Sequence, residues 1–181
     1  MGRETCLRAS TRPFGRDLVR AFSPRAVHEK KRERTPTMVL SESVRHILTA
    51  GHTAHLVTLN PDGSPQVSLV WVGLDGEEVV CAHLGTWKKV SNIQRDARVA
   101  LSLETGEKTG GVVDYVVLSG RAHITEGGAP ELLQQLARVY LGPGIKYPPS
   151  DHVPAGYITH IQIERVYGHG SWQTVGNKRE R

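Results

Sequence analysis

The chain has 181 residues, a hydrophobic fraction of 38% and two cysteines, Cys6 and Cys81. That length fits one ordinary domain with a tail and buries a core without disulfide staples. The net charge of +5 sits in the first 37 residues, with ten Lys/Arg against four Asp/Glu; the other 13 Lys/Arg and 14 Asp/Glu leave the body near neutral, which argues against nucleic acid as a partner.

Residues 1–37 repeat arginine at Arg3, Arg8, Arg12, Arg16, Arg20 and Arg25, with apolar residues sparse and aperiodic. Such a composition cannot offset chain entropy by burial, so an extension without a core is expected. A solvated tail, a start site lying ahead of Met38, and an organelle transit peptide interrupted by Glu4, Asp17, Glu29 and Glu33 are the competing readings. The expected organisation is a basic extension over 1–37, a domain over 38–175 and a polar tail over 176–181. Two lone cysteines suit a reducing cytoplasm, and no apolar run approaches the ~18 residues of a membrane span. A cytoplasmic protein is therefore expected.

In the body, Leu40, Val44, Ile47 and Leu48 have helical spacing, with Ser41 as N-cap and Gly51 as the stop. Residues 55–59 alternate as a strand. Pro61-Asp62-Gly63 is a turn, and 66–72 returns with Val67, Leu69 and Trp71 on one face and Ser68 and Val70 on the other. Leu74-Asp75-Gly76-Glu77 reads as a tight turn before a third strand at 78–83. Thr86 is the expected N-cap of a short basic helix over 87–95. A strand at 96–103, a loop at 106–111 and a long strand at 112–124 follow, with Gly120 as a bulge or bend. A helix at 129–141, a Pro-rich loop at 142–154 and a strand at 157–167 complete the pattern. Six strands joined mainly by hairpins, with helices outside, predict a mainly β fold (α+β) closed as a small barrel.

The junction at Thr86-Trp87-Lys88-Lys89 is the strongest local signal. A helix N-terminus presents free N–H groups and a partial positive charge, and suits a phosphate. Lys88 and Lys89 occupy the first turn, where the dipole disfavours cations, so an anion would compensate them. Lys89 and Asn92 share a face. The competing reading is a solvated basic helix. His52-Thr-Ala-His55 and Cys81-Ala-His83 lack a second pair at zinc spacing and read as surface or strand histidines, so no metal is expected in the chain. No nucleophile–base spacing or dinucleotide glycine motif is present, and no catalytic residue is assigned.

The run from Leu56 to Trp71 (LVTLNPDGSPQVSLVW) resembles the opening of the pyridoxamine 5′-phosphate oxidase-like split-barrel family. Trp87 to Leu101 (WKKVSNIQRDARVAL) resembles its phosphate-binding helix and following strand, Val117 to Ala122 (VLSGRA) a later strand, and Val166-Tyr167-Gly168 its closing strand. The resemblance covers roughly 41–172. It implies a six-stranded Greek-key split β-barrel that forms a homodimer with a flavin-type cofactor at the interface. Within the family the chain looks most like reductases using the deazaflavin coenzyme F420, with FMN as the alternative. It lacks the C-terminal Arg-rich segment of true pyridoxamine 5′-phosphate oxidases, and it carries Trp87 where many relatives carry arginine.

The resemblance implies an oxidoreductase passing a hydride between the cofactor and a small conjugated acceptor, such as an enone, a quinone or a tetrapyrrole-like molecule. Lys89, Asn92 and Thr86, assisted by Lys88 and beside Trp87, would hold the phosphate. Gln66, Ser68, Val70 and Trp71 would line the ring, approached from the third strand by Ala82, His83 and Leu84. An FMN-dependent enzyme of the same fold, a non-catalytic cofactor carrier and a haem-binding split barrel are the alternatives.

Overall fold

The computed structural model describes residues 38–150 and 152–174. The expected N-terminal extension and C-terminal tail lie outside them.

Seven strands and three α-helices alternate in the order α1 (Glu42–Thr49), β1 (Ala54–Leu59), β2 (Pro65–Val70), β3 (Gly73–Asp75), β4 (Glu78–His83), α2 (Lys88–Arg95), β5 (Arg98–Thr109), β6 (Val112–Glu126), α3 (Ala129–Tyr140) and β7 (Tyr157–His169), closing on a 3₁₀ turn at Ser171–Thr174. All strand pairs are antiparallel, in the sheet order β2-β1-β5-β6-β7-β4-β3. The mainly β expectation holds, with one correction to the strand count. Leu74 and Asp75, expected within a turn, join Gly73 in a short strand against β4, so the turn contracts to Gly76-Glu77.

That extra strand exposes how the sheet closes. β2 and β3 sit at opposite ends of the order, yet only Trp71 and Val72 separate them. Seven strands laid flat would put their edges about 29 Å apart at roughly 4.8 Å per strand. Three Cα steps reach at most about 11 Å. The sheet therefore curls until its edges meet at this link, which is the split of the barrel.

Alternation decides what lies inside. Ala54, Leu56 and Thr58 of β1, Val99, Leu101 and Leu103 of β5, Val116 and Leu118 of β6, and Ile161 and Ile163 of β7 are buried. On β2 it is Val70 that is buried, while Val67 and Leu69 face out at 56% and 62% exposure. Helix α1 adds Val44, Ile47 and Leu48 to the core, and its N-cap Ser41 accepts from the Val44 amide at 3.4 Å. Helix α2 packs on β1 and β6, and α3 on β4.

Gly120 marks the one register shift between β6 and β7, where Ser119 faces Arg165 but Gly120 faces Ile163. A Cβ at Gly120 would overlap the carbonyl oxygen of Gln162, so the bulge requires glycine there for space. β5 and β6 run further than expected, and the loop between them shrinks to Gly110-Gly111, both at positive φ.

Candidate functional site

A groove of about 340 Å³ opens where the end of β2, the end of β4, the start of α2 and one side of α3 converge. Its walls include Val70 and Trp71, Ala82, His83 and Leu84, Trp87 and Lys89. These are residues that the sequence reading assigned to cofactor binding, and the fold gathers them from three separate elements.

The α2 end of the groove is electropositive and open to an anion. Trp87 is the N-cap, with extended backbone and no side-chain hydrogen bond capping the helix. No acidic residue occupies the first turn. The first-turn N–H groups thus lack a side-chain acceptor, the condition under which a helix start takes an anion. Thr86 is not the cap that its position suggested; its hydroxyl donates to the Tyr157 hydroxyl, 3.2 Å away. Lys89 lies half-buried at the groove, and burial holds its ammonium below the ordinary lysine range. Lys88 is exposed and does not line the groove.

The β4 end is apolar and carries neutral groups. His83 is buried, with Nε2 2.9 Å from the Thr159 hydroxyl. Burial, reinforced by nearby Lys89, pushes its pKa down to about 4, so the imidazole is neutral at pH 7. Burial pushes the Cys81 thiol up to about 12, so it stays protonated.

Trp71 forms the opposite wall. It stacks on Tyr140 of α3 at 5.0 Å between ring centroids and meets Tyr147 at 5.1 Å. The Tyr140 hydroxyl accepts from the Val72 amide at 2.9 Å and faces the carbonyl oxygens of His52 and Val72 at 3.0 and 3.1 Å. This aromatic group anchors the link at which the barrel splits. Tyr140 falls in the expected helix at 129–141 and Tyr147 in the expected Pro-rich loop, and nothing local in the sequence joins either to Trp71. Thr53, Leu69 and Leu133 also line the groove, outside the set expected to bind the cofactor.

Gln66, Ser68 and Asn92 stand apart from the groove. Asn92 is buried and donates its side-chain amide to Thr58 Oγ1 at 3.1 Å and Asn60 Oδ1 at 3.2 Å. Thr58 in turn donates to Gln66 Oε1 at 2.8 Å. These contacts tie α2 to the β1–β2 hairpin. Ser68 Oγ is buried without a hydrogen-bond partner among the described residues. No helix among them is long and apolar enough to cross a membrane.

The groove fits the dimensions of a small-ligand site at the lower end of the usual range. An uncapped helix start and a half-buried lysine at one end, with apolar and aromatic walls at the other, suit a molecule with an anionic tail and a flat ring. Several solved structures share the fold. An F420 reductase aligns with a TM-score of 0.58 at 24% identity, over 71% of this chain and 98% of its own. A conserved hypothetical protein from Mycobacterium tuberculosis aligns with a TM-score of 0.58 at 22% identity, over 78% of this chain and 92% of its own. A heme binding protein from Mycobacterium smegmatis aligns with a TM-score of 0.52 at 19% identity, over 74% of this chain and 56% of its own. No curated protein matches in sequence. The family described as pyridoxamine 5′-phosphate oxidase matches residues 40–170, which is most of the chain, and the protein belongs to that family.

Proposed function

We propose that the protein is an oxidoreductase that passes a hydride between coenzyme F420 and a small conjugated organic acceptor. The observation that carries this reading is the pairing of half-buried Lys89 at an uncapped helix start with the apolar wall of Val70, Ala82 and Leu84. Lys89 and the α2 amides would hold the phosphate, and Trp71 and Leu84 would orient the ring. The bound deazaflavin supplies the hydride chemistry. Neutral His83 keeps the ring end uncharged, so water exclusion there costs little. No side chain is assigned as acid or base. The F420 reductase sharing this fold supports the choice of cofactor.

The groove is open on one side, and a second copy of the chain would cover it. The outer face of the sheet carries a continuous cross-strand row of Leu69, His55, Ser102, Val117 and Tyr167, in which Leu69 and Tyr167 are exposed. A strand-matched face that exposes Leu69 and Tyr167 suits a two-fold homodimer.

Titration of purified protein with F420 and with FMN tests the reading. Trp71 and Trp87 line the groove, so F420 should quench tryptophan fluorescence, and an enone or quinone should then oxidise reduced F420 in an enzyme-dependent manner. FMN retained through purification with no response to F420 would overturn the cofactor assignment. A Soret band after haem addition with no F420 response would do so as well. Tight F420 binding without turnover across the acceptor panel would make the protein a carrier rather than an enzyme.

A further inference from the structure

A second cluster lies away from the groove, on the face of β4, β7 and β6 turned from the core. His160 of β7 is directly opposite His123 of β6 in the strand register. It is also opposite Val80 of β4, which places Glu78, two residues away, on the same face and diagonal to it. One donor atom from each of Glu78, His123 and His160 lies within 4.8 Å of the other two. The imidazoles stack with centroids 4.8 Å apart, and His160 Nδ1 is 3.4 Å from Glu78 Oε2.

We infer that Glu78, His123 and His160 form a site for a zinc-like divalent cation bridging β4, β7 and β6. Two imidazoles and a carboxylate are a donor set suited to such an ion. A tetrahedral site with bonds of about 2.0–2.1 Å has donor–donor edges of about 3.3 Å. The Glu78–His160 separation already matches one edge. His123 is exposed, so rotation of its side chain closes the others without moving a strand. A second contact points the same way. His160 Nε2 is 3.0 Å from the Thr125 hydroxyl. With Nε2–H given to Thr125, Nδ1 turns its lone pair to the Glu78 carboxylate, and a cation between them satisfies both. An outer partner of this kind fixes the tautomer of a metal-ligating histidine.

The surrounding charge favours a cation. Asp75, opposite Glu78 in the β3–β4 pair, and Glu131 of α3 line an adjoining groove that His160 borders. Arg121, exposed on the same face, opposes this through solvent, where screening weakens it. Three protein ligands leave a fourth position for water.

The test uses the untagged full chain, stripped with chelator and titrated with ZnCl₂ by calorimetry and with CoCl₂ by visible absorbance. One equivalent should bind, with cobalt bands of a tetrahedral nitrogen–oxygen site. His123→Ala and His160→Ala should each weaken zinc at least about 10-fold; Thr125→Ala, which keeps every ligand, should weaken it by a smaller but measurable factor. His46→Ala, removing an exposed histidine of α1, should change nothing. Zinc binding unaltered by His123→Ala and His160→Ala, or lost equally with His46→Ala, would overturn the proposal. Circular dichroism checks that each variant is folded. Should His160→Ala misfold, exposed His123→Ala decides alone.

Discussion

The side-chain amide of Asn92 on α2 donates to the hydroxyl of Thr58 on β1 across 3.1 Å, and both residues are buried. This bond fixes where α2 begins relative to the hairpin, and so where Lys89 meets the groove. Asn92→Ala strands the polar atoms of Thr58 and Asn60. It should cost about 1–3 kcal/mol of stability in urea denaturation. Cofactor affinity lost with unchanged stability would instead make Asn92 a direct ligand contact.

Lys89→Ala should weaken cofactor binding about 10- to 150-fold, the worth of a charge-assisted hydrogen bond of roughly 1.5–3 kcal/mol. Lys88→Ala should cost less, because its side chain is exposed outside the groove. Fluorescence titration of both variants makes the comparison. Equal, small losses would reduce α2 to a solvated basic face.

His83 sets a pH dependence of folding. Its pKa falls from an ordinary 6.5 to about 4 in the folded chain, so between these values the unfolded state binds more protons. Stability should therefore be fully present above about pH 6.5 and decline as pH falls toward 4, by up to about 3 kcal/mol from this residue. Comparing urea midpoints of wild type and His83→Gln across this window isolates the effect from that of the carboxylates. Parallel pH profiles would contradict it.

Gly120→Ala places a methyl group against the Gln162 carbonyl oxygen at the β6–β7 bulge. Backbone on the neighbouring strand cannot rotate away, so a loss of at least about 3 kcal/mol is expected. A thermal melt within a few degrees of wild type would show that the bulge migrates instead.

Leu69→Asp puts a charge on the outer face of β2, where the wild-type side chain is 62% exposed. If that face joins two copies, sedimentation at micromolar concentration should show dimer for wild type and monomer for the variant. A wild-type monomer that still binds cofactor tightly would remove the dimer from the reading.

Much of the fold was legible because its signals are local. Alternation along 55–59 and 66–70 and the turn chemistry of Asn60 to Ser64 act within a few residues. Gly63 takes φ 83° and its amide bonds the Asn60 carbonyl, as the Pro-Asp-Gly pattern implied. The apolar stripe of α1 was likewise readable, and Val44, Ile47 and Leu48 are buried as its spacing implies. Errors fell where a distant partner competes with a local preference. Thr86 would cap a helix in isolation, yet the Tyr157 hydroxyl is within its reach. Leu74 and Asp75 read as part of a turn in isolation, yet β4 supplies them with a hydrogen-bonding edge.

The two sites divide on the same ground. Lys89 and Trp87 announce themselves by sitting together at a helix start, and the sequence alone determined that they share a junction. Tertiary structure alone decided that Trp71 rests between Tyr140 and Tyr147, and that His123 and His160 stack beside Glu78. Those histidines are separated by helix α3 and a loop. They meet because the β6–β7 register sets them side by side, and a shift of one residue in that register would turn one ring to the opposite face of the sheet.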